Sequence, residues 1–118
     1  MIATMPRSYP HTECPVAAAL DVIGERWTIL VLRDLMLNKS RRFQDFVESL
    51  HGCAPNTLSH RLKSLEDKGL IERRLYEQHP PRFEYVLTAK GREAAPVLRA
   101  LRAWGTQLQA RSASDHRA

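Results

Sequence analysis

The stretch Pro55–Tyr76, PNTLSHRLKSLEDKGLIERRLY, changes its apolar period partway along and so predicts two successive elements. Its first apolar positions recur at helical spacing. They are Leu58, Leu62 and Leu65. Gly69 stands where a glycine commonly ends a helix, and the residues after it alternate with the period of two that is typical of a strand. We therefore predict a helix over about 55–68 and a strand from Ile71.

A second alternating segment downstream predicts the partner strand of a hairpin. Its apolar members are Phe83, Tyr85 and Leu87. Between the two strands lies the segment 77–81, EQHPP, whose prolines cannot donate to a strand ladder. The hairpin is therefore expected to have a stiff, exposed tip.

Three helices are predicted before this stretch. The first covers about 15–24, and the second covers 27–38 and is apolar on nearly every side, as expected of a central helix. A third, over 42–50, has one apolar face and ends at Gly52. After the hairpin, Thr88 can cap a long last helix, although Pro96 either kinks that helix or marks its true start.

The predicted order is four helices, a hairpin and a helix, which is the layout of a winged helix-turn-helix. The fold class is therefore mainly α with a small β-hairpin wing. We expect one domain over 14–110, a flexible N-terminal arm over 1–13 and a disordered tail over 111–118. A chain of 118 residues has no room for two cores of ordinary size.

Charge and composition narrow the function classes. The net charge is +5, and over residues 38–92 basic residues outnumber acidic ones by eleven to seven, which favours a nucleic-acid partner. No apolar run is long enough to span a membrane and the first residues lack a secretory signal, so we expect a cytoplasmic protein. No nucleophilic triad, phosphate-binding loop or zinc-protease motif is present, so an enzyme is not expected.

Several fragments together resemble the HxlR-type, MarR-like winged helix-turn-helix transcriptional regulators over roughly residues 14–109. The fragments are Cys14-Pro15-Val16, Gly24-Glu25-Arg26-Trp27, Arg42-Phe43, Leu58-Ser59-His60-Arg61-Leu62, Gly69-Leu70-Ile71, and Pro81-Arg82-Phe83-Glu84-Tyr85-Val86-Leu87-Thr88. The resemblance implies a dimeric bacterial DNA-binding regulator whose terminal helices form the dimer contact. Ala54 departs from the pattern, because such proteins commonly have a Ser there that would cap the fourth helix.

The outward side of the fourth predicted helix carries the candidate major-groove contacts. They are Asn56, Thr57, Ser59, His60, Arg61, Lys63 and Ser64. Asn can read adenine, and Lys and Thr can meet guanine or a thymine methyl group. Arg61 borders the apolar stripe and would either contact a phosphate or bind an acid on the second or third helix. The alternative for the whole face is a solvated polar surface.

A second basic set is predicted to contact the DNA backbone. It comprises Lys39, Arg41 and Arg42 before the third helix, and Arg73, Arg74, His79 and Arg82 on the wing. Cations at these places suit a phosphate ridge or the adjacent minor groove. The alternative is charge that keeps a loop and an edge hairpin soluble.

Apolar residues of the terminal helices are predicted to form a homodimer that binds a near-palindromic operator on double-stranded DNA. They are Val16, Leu20, Leu98, Leu101, Trp104 and Leu108. The rival interpretations are a winged-helix module for protein contacts and a thiol-based redox enzyme.

The two cysteines give the chain its candidate redox chemistry. Cys14 precedes a proline at a helix start, where the helix dipole favours thiolate, so it is a candidate sensor of oxidants or small electrophiles or else an apolar residue at the dimer seam. The resembling family includes members with a sensing Cys at this place. Cys53 is a second thiol or a buried loop residue. His11 and His51 lie near these cysteines, but neither pair matches a zinc signature, and no metal or cofactor is expected.

Overall fold

The structure is a computed structural model that describes residues 14–117, with side chains over 14–113. The predicted N-terminal arm lies outside the described residues. The elements are α1 (Pro15–Ile23), α2 (Arg26–Leu37), α3 (Phe43–Ser49), α4 (Pro55–Asp67), β1 (Ile71–Gln78), β2 (Pro81–Leu87), α5 (Ala89–Arg92) and α6 (Ala95–Arg117). The predicted fold class, mainly helical with a hairpin wing, is confirmed.

The core is built around α2, as its nearly continuous apolar sequence predicts. Three of its side chains, Val31, Leu32 and Leu35, are buried against the leucine stripe of α4 and against Phe46 of α3. Burying each such large apolar side chain contributes about 1.5–3 kcal/mol. The helix-turn-helix formed by α3 and α4 is therefore fixed to α2 by apolar packing.

The two strands pair antiparallel and extend closer to the tip than the sequence predicts. β1 continues to Gln78 and β2 begins at Pro81, so the turn contains only His79 and Pro80. Proline is tolerated at the first residue of a strand, which explains why Pro81 starts one. An irregularity in register lies between Leu75 and Glu77.

The prediction of one long helix from Thr88 is wrong, because two helices form. The Thr88 hydroxyl accepts the amide of Gly91 at 3.1 Å and caps the short α5. α6 then starts at Ala95, so Pro96 lies in its first turn, where the missing amide costs no helical hydrogen bond. This agrees with the alternative that Pro96 marks the true start. The sequence predicts the end of the domain at residue 110, whereas α6 continues to Arg117.

The terminal helices leave large apolar side chains uncovered in the single chain. Trp104 of α6 is 58% exposed, and Val16 and Leu20 of α1 are also exposed. Leu98, by contrast, is partly buried against the core. None of the described helices is both long and apolar enough to cross a membrane.

Candidate nucleic-acid interface

The outward face of α4 has the arrangement that its sequence predicts. Leu58, Leu62 and Leu65 are buried, so the opposite side of the helix faces solvent. The exposed members of the predicted contact set are Asn56, Ser59, His60 and Lys63, and the half-buried members are Thr57, Arg61 and Ser64. Lys63 pairs with Asp67 at 3.2 Å. Because both side chains are exposed, this pair contributes at most about 0.5 kcal/mol and can exchange for a phosphate.

The first turn of α4 lacks a side-chain cap. Ala54 is the N-cap residue, with extended backbone, and it offers no side-chain acceptor to the amides that follow Pro55. The N-cap side chains of α1, α2 and α5 all accept such a bond. The departure noted at Ala54 therefore removes a capping interaction.

The wing carries its four predicted basic residues at the surface. They are Arg73, Arg74, His79 and Arg82. Each arginine is engaged within the hairpin: Arg73 lies 4.4 Å from the centre of the Phe83 ring, and the Nε atoms of Arg74 and Arg82 lie 3.4 Å from Glu72 and Glu77 carboxylate oxygens. Exposed pairs of this kind are weak, so these cations remain available to a polyanion.

The segment before α3 brings the wing and the helix-turn-helix together. Lys39 and Arg42 are exposed, and the Arg42 guanidinium lies 4.4 Å from the centre of the Tyr76 ring on β1. The backbone of Arg41 exchanges two hydrogen bonds with Tyr85 of β2, at 3.0 and 2.7 Å. The Tyr85 ring in turn meets Phe46 of α3 edge to face at 6.1 Å.

The Arg41 side chain is directed inward, unlike its neighbour Arg42. Its Nη2 atom lies 4.0 Å from Oδ2 of Asp34, a buried carboxylate on α2. Asp34 also accepts hydrogen bonds from Arg33 at 2.9 Å and from the hydroxyl of Ser49. The sequence predicts Arg41 as a contact to the DNA backbone because it lies in a basic segment. The sequence does not indicate its partner, because Asp34 lies in a distant apolar helix.

Arg61 also turns towards an acid. Its Nε lies 3.6 Å from Oε1 of Glu25, and the same oxygen accepts the amides of Trp27 and Thr28 as the N-cap of α2. Of the two roles that the sequence leaves open for Arg61, the acid partner is therefore the one observed in the single chain.

The two cysteines occupy different environments. Cys14 is half-buried at the start of α1, where its Sγ accepts the amide of Ala17 at 3.4 Å. Cys53 is buried in the core, which confirms the interpretation of a buried loop residue. Burial raises the pKa of the Cys53 thiol; the Glu25 carboxylate raises it further and Arg61 opposes this. His11 lies outside the described residues, within which no group of three potential ligands is placed to hold a metal ion.

Comparisons with known proteins identify relatives of the whole domain. The model of the HxlR-like helix-turn-helix family matches residues 22–113. The HTH-type transcriptional regulator sll1512 of Synechocystis is 44% identical over 93 residues, which are 79% of this chain and 68% of that protein.

Solved structures agree with this match. The redox regulator HypR in its oxidised form is 33% identical, with a TM-score of 0.75 over 80% of this chain and 96% of that one. The reduced form of YodB from B. subtilis is 32% identical, with a TM-score of 0.68 over 80% of this chain and 92% of that one. This chain belongs to the HxlR-like helix-turn-helix family and is a transcriptional regulator of that type.

Proposed function

We propose that this regulator binds a near-palindromic operator as a homodimer, with α4 in the major groove and the wing on the flanking DNA. The observation that carries the proposal is the exposed polar side of α4, which lies opposite a buried leucine stripe. Helices of this kind reach base edges, while neighbouring cations set the register on the phosphates.

The chemistry and exposure of each side chain indicate whether it would read bases or contact the DNA backbone. The candidates for reading bases are Asn56, Thr57, Ser59, His60, Lys63 and Ser64, and those for contacting the backbone are Lys39, Arg42, Arg73, Arg74, His79 and Arg82. Asn56 has the donor and acceptor that match adenine. The contact between Arg42 and Tyr76 supports a shared interface, because it links the cation before α3 directly to the wing.

Homodimerisation is proposed through α1 and α6. Five of the apolar side chains assigned to this contact are exposed in the single chain, and Leu98 is partly buried against the core; the exposed ones are Val16, Leu20, Leu101, Trp104 and Leu108. Two subunits related by a twofold axis would present two recognition helices to half-sites about 34 Å apart. The apolar surface that a single chain leaves open would then be buried.

Cys14 is the proposed point of regulation by an oxidant or a small electrophile. Two structural relatives, HypR and YodB, are regulators, and HypR is described as a redox regulator in both oxidised and reduced forms. Cys14 begins one of the two helices assigned to the dimer, so modification there would move one recognition helix relative to the other. We also propose that the protein is not an enzyme and acts on DNA in the cytoplasm, because its relatives in Synechocystis and Bacillus subtilis are transcriptional regulators.

The contact assignment is tested by comparing operator with random DNA. Asn56→Ala and His60→Ala should reduce the preference for operator by about 1–3 kcal/mol, since a lost base contact affects one sequence more than another. Arg74→Ala and Arg82→Ala should weaken both complexes and flatten the dependence on salt. Equal losses for every sequence in all four variants would refute the assignment of α4.

The regulatory assignment is tested by mobility shift with diamide and with a quinone. The wild type should release operator DNA, and Cys14→Ser should remain bound. Cys53→Ser serves as the matched control because it removes the buried thiol instead. Sensitivity that persists in Cys14→Ser would refute the assignment to Cys14.

A further inference from the structure

We propose that two acids of α2, Glu25 at its N-cap and Asp34 in its last turn, hold Arg61 and Arg41 away from the DNA. The two arginines are then positioning residues for the helix-turn-helix, although the sequence predicts Arg41 as a contact to the DNA backbone and leaves a phosphate contact open for Arg61. This inference rests on the proposed DNA-binding function, and it decides which of the basic residues near the interface neutralise phosphates.

The pair at the start of α2 fixes Arg61. Glu25 is itself immobilised, because Oε1 accepts the amides of Trp27 at 2.7 Å and Thr28 at 3.2 Å. Arg61 approaches this oxygen at 3.6 Å, with its side chain 34% exposed and its Nε shielded from solvent. A guanidinium that left Glu25 for a phosphate would leave the cap carboxylate without its cation.

A second contact ties α4 to the same joint. Lys68 follows α4 and donates to the carbonyl of Asp21 on α1 at 2.9 Å. Between Asp21 and Glu25 lies Gly24, where a Cβ would stand 2.3 Å from the carbonyl oxygen of Leu20. The chain between α1 and α2 is therefore tight, and Arg61 anchors the recognition helix to a rigid joint.

The pair near the end of α2 fixes Arg41. Asp34 is 3% exposed and lies between Ser49 at the end of α3 and Arg41 before its start. The Arg41 backbone is held on the other side by Tyr85 of β2. Its Nε is also shielded from solvent, with no hydrogen-bond partner among the described residues. Arg33 pairs with Oδ1 of this carboxylate, whereas Arg41 and the Ser49 hydroxyl share Oδ2. Because taking a cation from a buried carboxylate is costly, Arg41 stays with Asp34 when DNA binds.

Adjacent cations provide the matched test. The logarithm of DNA affinity decreases linearly with the logarithm of the salt concentration, and each lost phosphate contact reduces the magnitude of this slope by about 0.9. Arg42→Gln and Lys39→Gln, which remove two exposed cations assigned to the DNA backbone, should flatten the slope by about this amount per subunit. Arg41→Gln and Arg61→Gln should leave the salt slope unchanged. They should lower the ratio of affinity for operator DNA to affinity for random DNA, because the polar side of α4 is no longer held in place. Arg61→Lys, which keeps a cation for Glu25, should restore most of the ratio.

The acids provide the reciprocal test. Asp34→Asn and Glu25→Gln keep hydrogen-bond acceptors, but the first releases Arg41 and the second releases Arg61. Each variant should therefore bind random DNA severalfold more tightly, and its affinity should depend more steeply on salt. Asp67→Asn changes the net charge by the same amount, but its partner Lys63 is already exposed. The salt slope of this control variant should therefore match that of the wild type. Flattened slopes in Arg41→Gln and Arg61→Gln, or acid variants that match Asp67→Asn, would overturn the inference.

A measurement without DNA separates this inference from the proposed function. Glu25→Gln and Arg61→Gln should lower the melting temperature non-additively when combined, as expected of two residues in contact. Additive shifts would refute the pair itself. Absence of any salt-dependent DNA binding by the wild type would refute the proposed function and, with it, the inferred division between positioning and contacting arginines.

Discussion

The leucine stripe of α4 and the apolar stripe of α6 have similar spacing but opposite fates in the single chain. Leu62 at the middle of the α4 stripe is 1% exposed, whereas Trp104 on α6 is 58% exposed. α4 lies against α2 and α3 along its whole apolar side. α6 contacts the core near its start, through Leu98, and then extends beyond it.

This difference shows that an apolar stripe in the sequence does not by itself indicate whether the core of the same chain covers it. The α4 stripe is covered by the same chain, so its packing contributes to folding. The exposed α6 stripe adds little to the stability of one subunit and is suited to a second copy.

The largest effect is expected in the α4 stripe. Leu62→Ala should lower the free energy of unfolding by about 2–5 kcal/mol, because it removes buried methyl groups and leaves a cavity. Chemical denaturation measures the loss, with Lys63→Ala as an exposed control on the same helix. A loss no larger than that of the control would show that α4 is not packed as described.

The α6 stripe should respond at the level of assembly. Trp104→Ala should weaken the proposed dimer at least tenfold, about 1.4 kcal/mol, because aromatic side chains dominate the energy of interfaces. Sedimentation at several concentrations measures the dissociation constant, and Arg102→Ala on the same helix is the control. An unchanged dissociation constant in Trp104→Ala would mean that the second copy does not cover this stripe.

A smaller gain is expected at the start of α4. Ala54→Ser should raise the free energy of unfolding by about 1 kcal/mol, because the hydroxyl can accept an amide of the first turn. The extended backbone of Ala54 already suits an N-cap residue. Thermal denaturation should therefore show a higher melting temperature, and no increase would mean that these amides are already satisfied by solvent.

The smallest effect concerns Cys53, which is buried beside the α4 stripe. Because burial raises the pKa of this thiol, the unfolded chain loses its proton at lower pH than the folded chain does. Stability should therefore fall as the pH rises above the ordinary pKa of a thiol. Burial also raises the pKa of Tyr85, with Arg73 opposing and Glu66 reinforcing the shift, so that residue adds to the fall at higher pH.

The slope of stability against pH should be shallower in Cys53→Ala than in the wild type. The comparison uses slopes because this substitution also changes packing at every pH. Identical slopes would show that Cys53 does not titrate differently in the two states.

The sequence by itself determined the first four helices, the two strands and the outward face of α4. Proline at the start, Gly69 with its positive φ of 81° at the end, and leucines at helical spacing are local signals that act within a few residues. The change to a period of two specified the wing in the same way. The break between α5 and α6 was also signalled locally, by Pro96, but the sequence left two interpretations of it open.

Only the tertiary structure decided which cations are engaged inside the protein. Arg41 and Arg42 are chemically identical neighbours, yet one turns to Asp34 and the other lies over Tyr76. Glu25 and Arg61 lie on elements that only folding brings together. An ion pair depends on distance in space and on the burial of its carboxylate, and neither quantity is written in the local pattern of residues.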